Sequence, residues 1–178
     1  MKAQTKNNTH QERFQPFNIV VFGGDGDLSI RKILPAIFHR DLDGQLNIPY
    51  NVIAITRKEP DTKAFHERLI PFLEVSDHHK YSREEIEKFL NKLVIIKAED
   101  SSPEAYAELR HYLEQHPERQ NIYYYSTPSS AFGPITQTTK DLRTPLVTGA
   151  TLCINQDGNR IAVPAFKSTT LPVSLKLT

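Results

Sequence analysis

The sequence is poor in three things, and each absence excludes a class of protein. It has one cysteine, Cys153, in 178 residues, so an internal disulfide framework and a cysteine-based zinc cluster are both excluded. Its longest apolar runs, such as the one ending at Phe22, are strand-sized, whereas a membrane-spanning helix needs about 20 consecutive apolar residues. It carries almost no net charge, +1 at pH 7, whereas a nucleic-acid-binding domain usually shows a strong basic excess. The opening MKAQTKNNTHQERF is polar and lacks the apolar stretch of a signal peptide. A cytoplasmic protein is expected, with no nucleic-acid or membrane partner, and a neutral or mildly acidic small ligand fits the charge balance.

What is present suits one globular domain. Hydrophobic residues make up 38% and charged residues 24% of the chain, enough apolar surface for a core and too much for a disordered chain. Residues 1–15 read as a disordered leader. Residues 17–22 read as a buried strand, with Ile19, Val20, Val21 and Phe22 in a continuous apolar run, as strands covered on both faces are in parallel sheets. A turn over 23–27 then leads into a helix over 28–42, with Leu28, Ile33, Leu34, Ile37 and Phe38 on its apolar face. Pro35 inside that pattern predicts a kink or a late helix start.

Further strands are expected over 51–56, 93–96 and 121–125. Helices are expected over 62–73 and 83–91, from Pro103 onward, and over 128–140. Ser82 and Glu85 have the spacing of a capping box, and Pro103 suits a first helical turn. Strands alternating with helices imply right-handed crossovers and an α/β domain, a parallel sheet with helices on both faces.

From about residue 141 the character changes. After Arg143 the only acidic residue is Asp157, and Pro145, Pro164 and Pro172 would break any helix drawn through the segment. Short strands over 160–163 and 173–177 are the most that it suggests. The domain is expected to span 16–140, followed by a divergent tail over 141–178, unrelated or frame-shifted; a genuine short domain variant with a divergent sheet edge is the alternative.

The strongest local signal is VVFGGDGDLSIRK, in which a buried strand runs through Gly23, Gly24, Asp25 and Gly26 directly into a helix. Glycines let the chain turn tightly and let a pyrophosphate approach the backbone. The helix start offers unpaired N–H groups and a partial positive charge, with Asp27 placed to cap it. The spacing is neither GxGxxG nor a Walker loop. An ordinary glycine-containing strand-to-helix turn is the alternative.

GGDGDLSIRKILPAIF resembles the coenzyme fingerprint of glucose-6-phosphate dehydrogenases. Gly23, Gly26, Asp27, Leu28, Lys32, Pro35 and Ala36 match in register. VIAITRK is similar to that family's second strand, whose following arginine holds the 2′-phosphate of NADP; Arg57 takes that place. NIYYYSTPSSAFGPI resembles the fourth-strand segment, with matches at Tyr124 and Pro128 and departures at Thr127 and Ser129. The resemblance covers residues 17–139. It implies a Rossmann-like fold, incomplete relative to the full-length family, and NADP as coenzyme. The residues it implies for binding are Gly23, Gly24, Asp25, Gly26, Asp27, Leu28, Arg57 and Tyr124.

An arginine past the second strand makes chemical sense, because a guanidinium pairs with phosphate where NAD enzymes place an acidic residue. Lys58 adds a second positive charge, partly offset by Glu59; a solvated surface arginine is the alternative. Asp25 departs from the family's neutral Ser or Thr and sets a carboxylate beside the expected pyrophosphate, which costs binding energy unless it points away. Asp77, His78 and His79 lack a third ligand at suitable spacing, so no metal site is expected. His39, His66, His111 and His116 read as surface residues.

No catalytic residue is expected. The family's Glu-Lys-Pro-x-Gly segment, its sugar-holding helix, its histidine base and the sheet domain carrying much of its dimer contact find no match. The resemblance therefore implies a chain that binds NADP but lacks groups to hold glucose 6-phosphate and take its proton. A non-catalytic NADP-binding module and a degenerate product without ligand are the rival readings.

Overall fold

A computed structural model describes residues 16–58, 61–74, 81–141, 153–154 and 160–161. The expectations for the leader, for Glu59, for Asp77, His78 and His79, for a strand over 173–177 and for most of the tail lie outside the described residues.

Four strands form a parallel sheet: β1 (Phe17–Phe22), β2 (Tyr50–Thr56), β3 (Leu93–Lys97) and β4 (Gln120–Tyr125), in the order β3-β2-β1-β4. β1 and β2 are central and buried on both faces, which is why each carries an unbroken apolar stretch, Ile19 to Phe22 and Val52 to Ile55. The sheet and its helices are the α/β Rossmann-like arrangement that the sequence predicts.

The chain is helical from Asp27 onward. A π-helical turn, Ser29–Ile33, runs without a break into α1 (Leu34–Leu42). The irregularity expected at Pro35 takes this form. Proline has no N–H to give, and a widened turn is one way for a helix to carry it.

α2 (Thr62–Leu73) is capped by Asp61, whose Oδ1 accepts from the Ala64 amide at 3.0 Å. α3 (Arg83–Leu90) opens on the capping box: Ser82 Oγ accepts from the Glu85 amide at 3.2 Å, and Glu85 Oε2 accepts from the Ser82 amide at 2.8 Å. α4 (Ala107–Glu114) starts later than Pro103 suggests, because a turn capped by Ser102 precedes it; Ser102 Oγ accepts from the Ala105 amide at 3.2 Å. A 3-10 turn, Ser129–Ala131, leads into α5 (Phe132–Asp141). In the tail, β5 (Cys153–Ile154) and β6 (Arg160–Ile161) pair antiparallel.

Two cores cover the sheet. On one face Val21, Val52 and Ala54 meet Leu34 and Phe38 of α1, Phe65, Leu69 and Leu73 of α2, and Phe89 of α3. On the other, Val20, Phe22, Ile53 and Ile55 meet Tyr106, Leu109 and Leu113 with Phe132 and Ile135 of α5. The histidines are less uniformly superficial than expected. His111 is exposed, but His39 Nδ1 lies 2.8 Å from the Tyr81 hydroxyl, and His66 Nε2 is buried without a partner. Both sit on helix flanks that turn partly inward. Among the described residues no helix is long and apolar enough to cross a membrane.

Candidate functional site

The chain leaves β1 toward β2 and β3, then returns past β1 to lay down β4 on its other side. This reversal opens a crevice beyond the C-terminal end of β1, where open α/β sheets bind ligands. The glycine bend occupies that place.

Gly23 has φ +75°, a left-handed conformation that side chains rarely tolerate. The Gly24 amide donates to the Ile55 carbonyl at 2.9 Å, and the Gly26 amide to the Gly23 carbonyl at 3.0 Å. Ser29 Oγ also donates to the Gly23 carbonyl, at 2.8 Å. The Ile30 amide reaches the Gly26 carbonyl at 3.0 Å. The amides of Asp27, Leu28 and Ser29 precede that bond, at the open N-terminal end of the helical run.

The fold itself demands two of these glycines. A Cβ on Gly23 would collide with the Ser126 carbonyl, and one on Gly24 would stand 2.6 Å from the Ala54 Cβ. Their absence of side chains lets the bend settle between the ends of β2 and β4. Gly26 is different: a Cβ there would meet the Gly23 carbonyl at 3.1 Å and otherwise little.

Asp27 does not cap the helix as expected. It is the first helical residue, exposed, with its carboxylate 3.5 Å from Arg31. Its position inside the first turn puts an i,i+4 partner within reach and leaves the bend to be tied by Ser29. Arg31 also lies over the Phe72 ring, 5.4 Å from its centre. Asp25 and Leu28 are half-buried. The Asp25 carbonyl accepts a 2.9 Å hydrogen bond from the guanidinium of Arg68, an exposed residue of α2.

Arg57 and Lys58 follow β2 and are both exposed. Thr56, buried, fixes this turn by donating from Oγ1 to the Lys58 carbonyl at 2.9 Å. Burial pushes the Tyr106 phenol above its usual pKa, and the Arg57 charge is among the weaker influences drawing it back. Tyr124 lies beside Val21 across β1 and packs, half-buried, against the core under α1 and α2, where burial raises its pKa. The structure thus gathers Gly23, Gly24, Asp25, Gly26, Asp27 and Leu28 at the tip of β1, with Arg57 beyond β2 on one side and Tyr124 on β4 on the other.

Sequence reasoning gave no role to three residues here. Arg68 reads from its helical position as plain solvent-facing charge, and nothing in the sequence ties it to the bend. Ser126 and Thr127, at the end of β4, are buried, yet Ser126 Oγ and Thr127 Oγ1 have no hydrogen-bond partner.

The family profile described as glucose-6-phosphate dehydrogenase, NAD binding domain, matches residues 20–163. That match runs past 141 into the segment expected to diverge. The glucose-6-phosphate 1-dehydrogenase of Rhizobium meliloti (strain 1021) is 30% identical over 132 residues, which is 71% of this chain and 26% of that protein. That of Gluconobacter oxydans (strain 621H) is 30% identical over 134 residues, with the same shares of 71% and 26%. The chain therefore spans about a quarter of the length of these curated relatives. A solved glucose-6-phosphate dehydrogenase in complex with its substrate glucose-6-phosphate superimposes with a TM-score of 0.64 at 23% identity, over 77% of this chain and 29% of that one. That likeness speaks for the fold. With the profile covering most of the residues and the bend at the sheet's reversal point, the chain belongs to the glucose-6-phosphate dehydrogenase family and carries its NAD-binding domain.

Proposed function

We propose that this chain binds NADP at the tip of β1, as the coenzyme-binding part of a glucose-6-phosphate dehydrogenase. The observation that carries the reading is the glycine bend opening a helix at the strand-order reversal, the place and backbone chemistry that suit a dinucleotide's diphosphate. The residues present fit such a group. The main chain of the bend is held by its own hydrogen bonds, the Gly26 position carries no side chain, and the end of β4 presents two buried hydroxyls without partners.

Each element has a task. The amides of Asp27, Leu28 and Ser29 receive the diphosphate. Arg57 pairs with the 2′-phosphate through charge-assisted hydrogen bonds, which a ribose hydroxyl cannot match. Tyr124, held half-buried on β4, gives the coenzyme an aromatic wall. The bound nicotinamide supplies a hydride acceptor.

The full-length family oxidises glucose 6-phosphate to 6-phosphogluconolactone, the entry step of the pentose phosphate pathway. These 178 residues include no segment resembling the family's sugar-holding helix or its general base. By itself the chain therefore holds coenzyme without turning over the sugar, because hydride transfer needs both C1 placed against the nicotinamide and a base for the hydroxyl proton.

Calorimetric titration of the purified chain with NADP tests the reading. Saturable one-to-one binding, tighter than for NAD, is expected, and no heat of binding at millimolar NADP would overturn it. Measurable turnover of glucose 6-phosphate by the chain alone would overturn the inactivity.

A further inference from the structure

Four small polar side chains are buried around the glycine bend, and they divide by side. Ser29 and Thr56, on the helix and on β2, give their hydroxyl protons to the carbonyls of Gly23 and Lys58. Ser126 and Thr127, on β4, are 8% and 9% exposed, and neither hydroxyl meets any donor or acceptor. Buried hydroxyls are nearly always paired, so an unpaired one calls for an explanation. Two in succession, confined to one side of a crevice, point to a partner that arrives from outside.

The main chain of Ser126 is already engaged. The Ser126 amide donates to the Phe22 carbonyl at 2.9 Å, and the Ser126 carbonyl lies against Gly23. Thr127 turns its methyl carbon to Gly23, 3.0 Å from where a Cβ would stand. Packing against the bend is therefore done by backbone and methyl, which leaves the hydroxyls without a structural task.

Resting on the NADP reading above, we infer that Ser126 and Thr127 hydrogen-bond the ribose of the nicotinamide nucleoside through their hydroxyls. The order of the strands sets the order of the ligand. With the 2′-phosphate beyond β2 and the diphosphate over β1, the second nucleoside lies over β4, since a dinucleotide spans the crevice from one half of the sheet to the other. A ribose offers hydroxyls that both donate and accept, and two adjacent side-chain hydroxyls can satisfy them.

The test compares NADP with adenosine 2′,5′-bisphosphate, which has the 2′-phosphate but no nicotinamide nucleoside. The variant Ser126→Ala with Thr127→Val removes both hydroxyls and keeps the methyl on Gly23. It is expected to bind NADP about tenfold more weakly, to bind the bisphosphate as the parent chain does, and to unfold without ligand at the same temperature or higher, because an unpaired buried hydroxyl is lost. Equal loss for both ligands, or a lower unfolding temperature, would show the hydroxyls to be structural and overturn the inference. So would failure of the variant to fold while the two single variants lose stability. Unchanged NADP affinity, with the parent chain binding normally, overturns this inference alone. A parent chain that binds neither ligand overturns the NADP reading itself.

Discussion

Arg68 of α2 donates a guanidinium N–H to the main-chain carbonyl of Asp25, 2.9 Å away, tying the second helix to the bend that follows the first strand. The bond brings positive charge to a bend that carries the carboxylates of Asp25 and Asp27, which on the NADP reading lie beside a diphosphate. Arg68→Met keeps the aliphatic stem and removes both the bond and the charge. Hydrogen bonds from charged groups contribute roughly 1.5–3 kcal/mol, and exposure reduces this toward about 1 kcal/mol. NADP and NAD should therefore both bind about fivefold more weakly, and Asp25→Ser should strengthen both. Calorimetric titration of the two coenzymes decides the point; a loss confined to NADP would mean that Arg68 touches the 2′-phosphate instead.

Arg57 should behave differently. It is exposed beyond β2, on a turn fixed by Thr56, so its removal leaves the bend and the core intact. Arg57→Ala is expected to weaken NADP about 10- to 100-fold, the range for losing a charge-assisted pair, while leaving NAD within about twofold and the unfolding temperature unchanged. The same titrations check this. Equal losses for the two coenzymes would remove Arg57 from 2′-phosphate recognition.

The backbone architecture was legible in the sequence because its signals are local. β1 reads as apolar since both its faces are covered, and Ser82 with Glu85 forms the predicted capping box. The late start of α4 was less legible, because Pro103 permits a helix start without compelling one, and Ser102 caps a separate turn. The site was half legible. The glycines announce the bend, yet what requires Gly24 is Ala54 on the neighbouring strand, 30 positions away and invisible in a local motif. Asp27 has the residue type of a cap, but capping depends on where the first turn closes, and that turn closes on Gly26. Arg68, Ser126 and Thr127 depend on contacts between elements far apart in sequence, which periodicity does not report.

His66 gives a dependence of stability on pH. Its Nε2 is buried without a partner, and burial holds its pKa below the usual 6.5. The folded state therefore favours neutral imidazole, while the unfolded chain takes up a proton first as the pH falls. The stability tied to the neutral ring is fully present above about pH 6.5 and is lost as the pH falls through that value toward the folded pKa. Urea midpoints measured from pH 8 to pH 5 should decline for the parent chain and decline less for His66→Gln. Parallel curves would place the pH dependence elsewhere.

The three glycines of the bend should separate stability from binding. Gly23→Ala meets a positive φ and the Ser126 carbonyl together, and is expected to destabilise by about 3 kcal/mol. Gly24→Ala presses on both the side chain and the backbone of Ala54, and should cost about 1–3 kcal/mol. Ala54→Gly removes one of those clashes, so the double variant should recover part of the loss. Gly26→Ala has room apart from the Gly23 carbonyl, and a glycine without strain gains about 0.4–1 kcal/mol on replacement by alanine. Its stability should change by less than about 1 kcal/mol, while the new methyl stands where a diphosphate approaches the backbone and weakens NADP. Thermal unfolding and NADP titration of the three variants together check the division, since only a ligand, and not the fold, has a use for the bare backbone at Gly26.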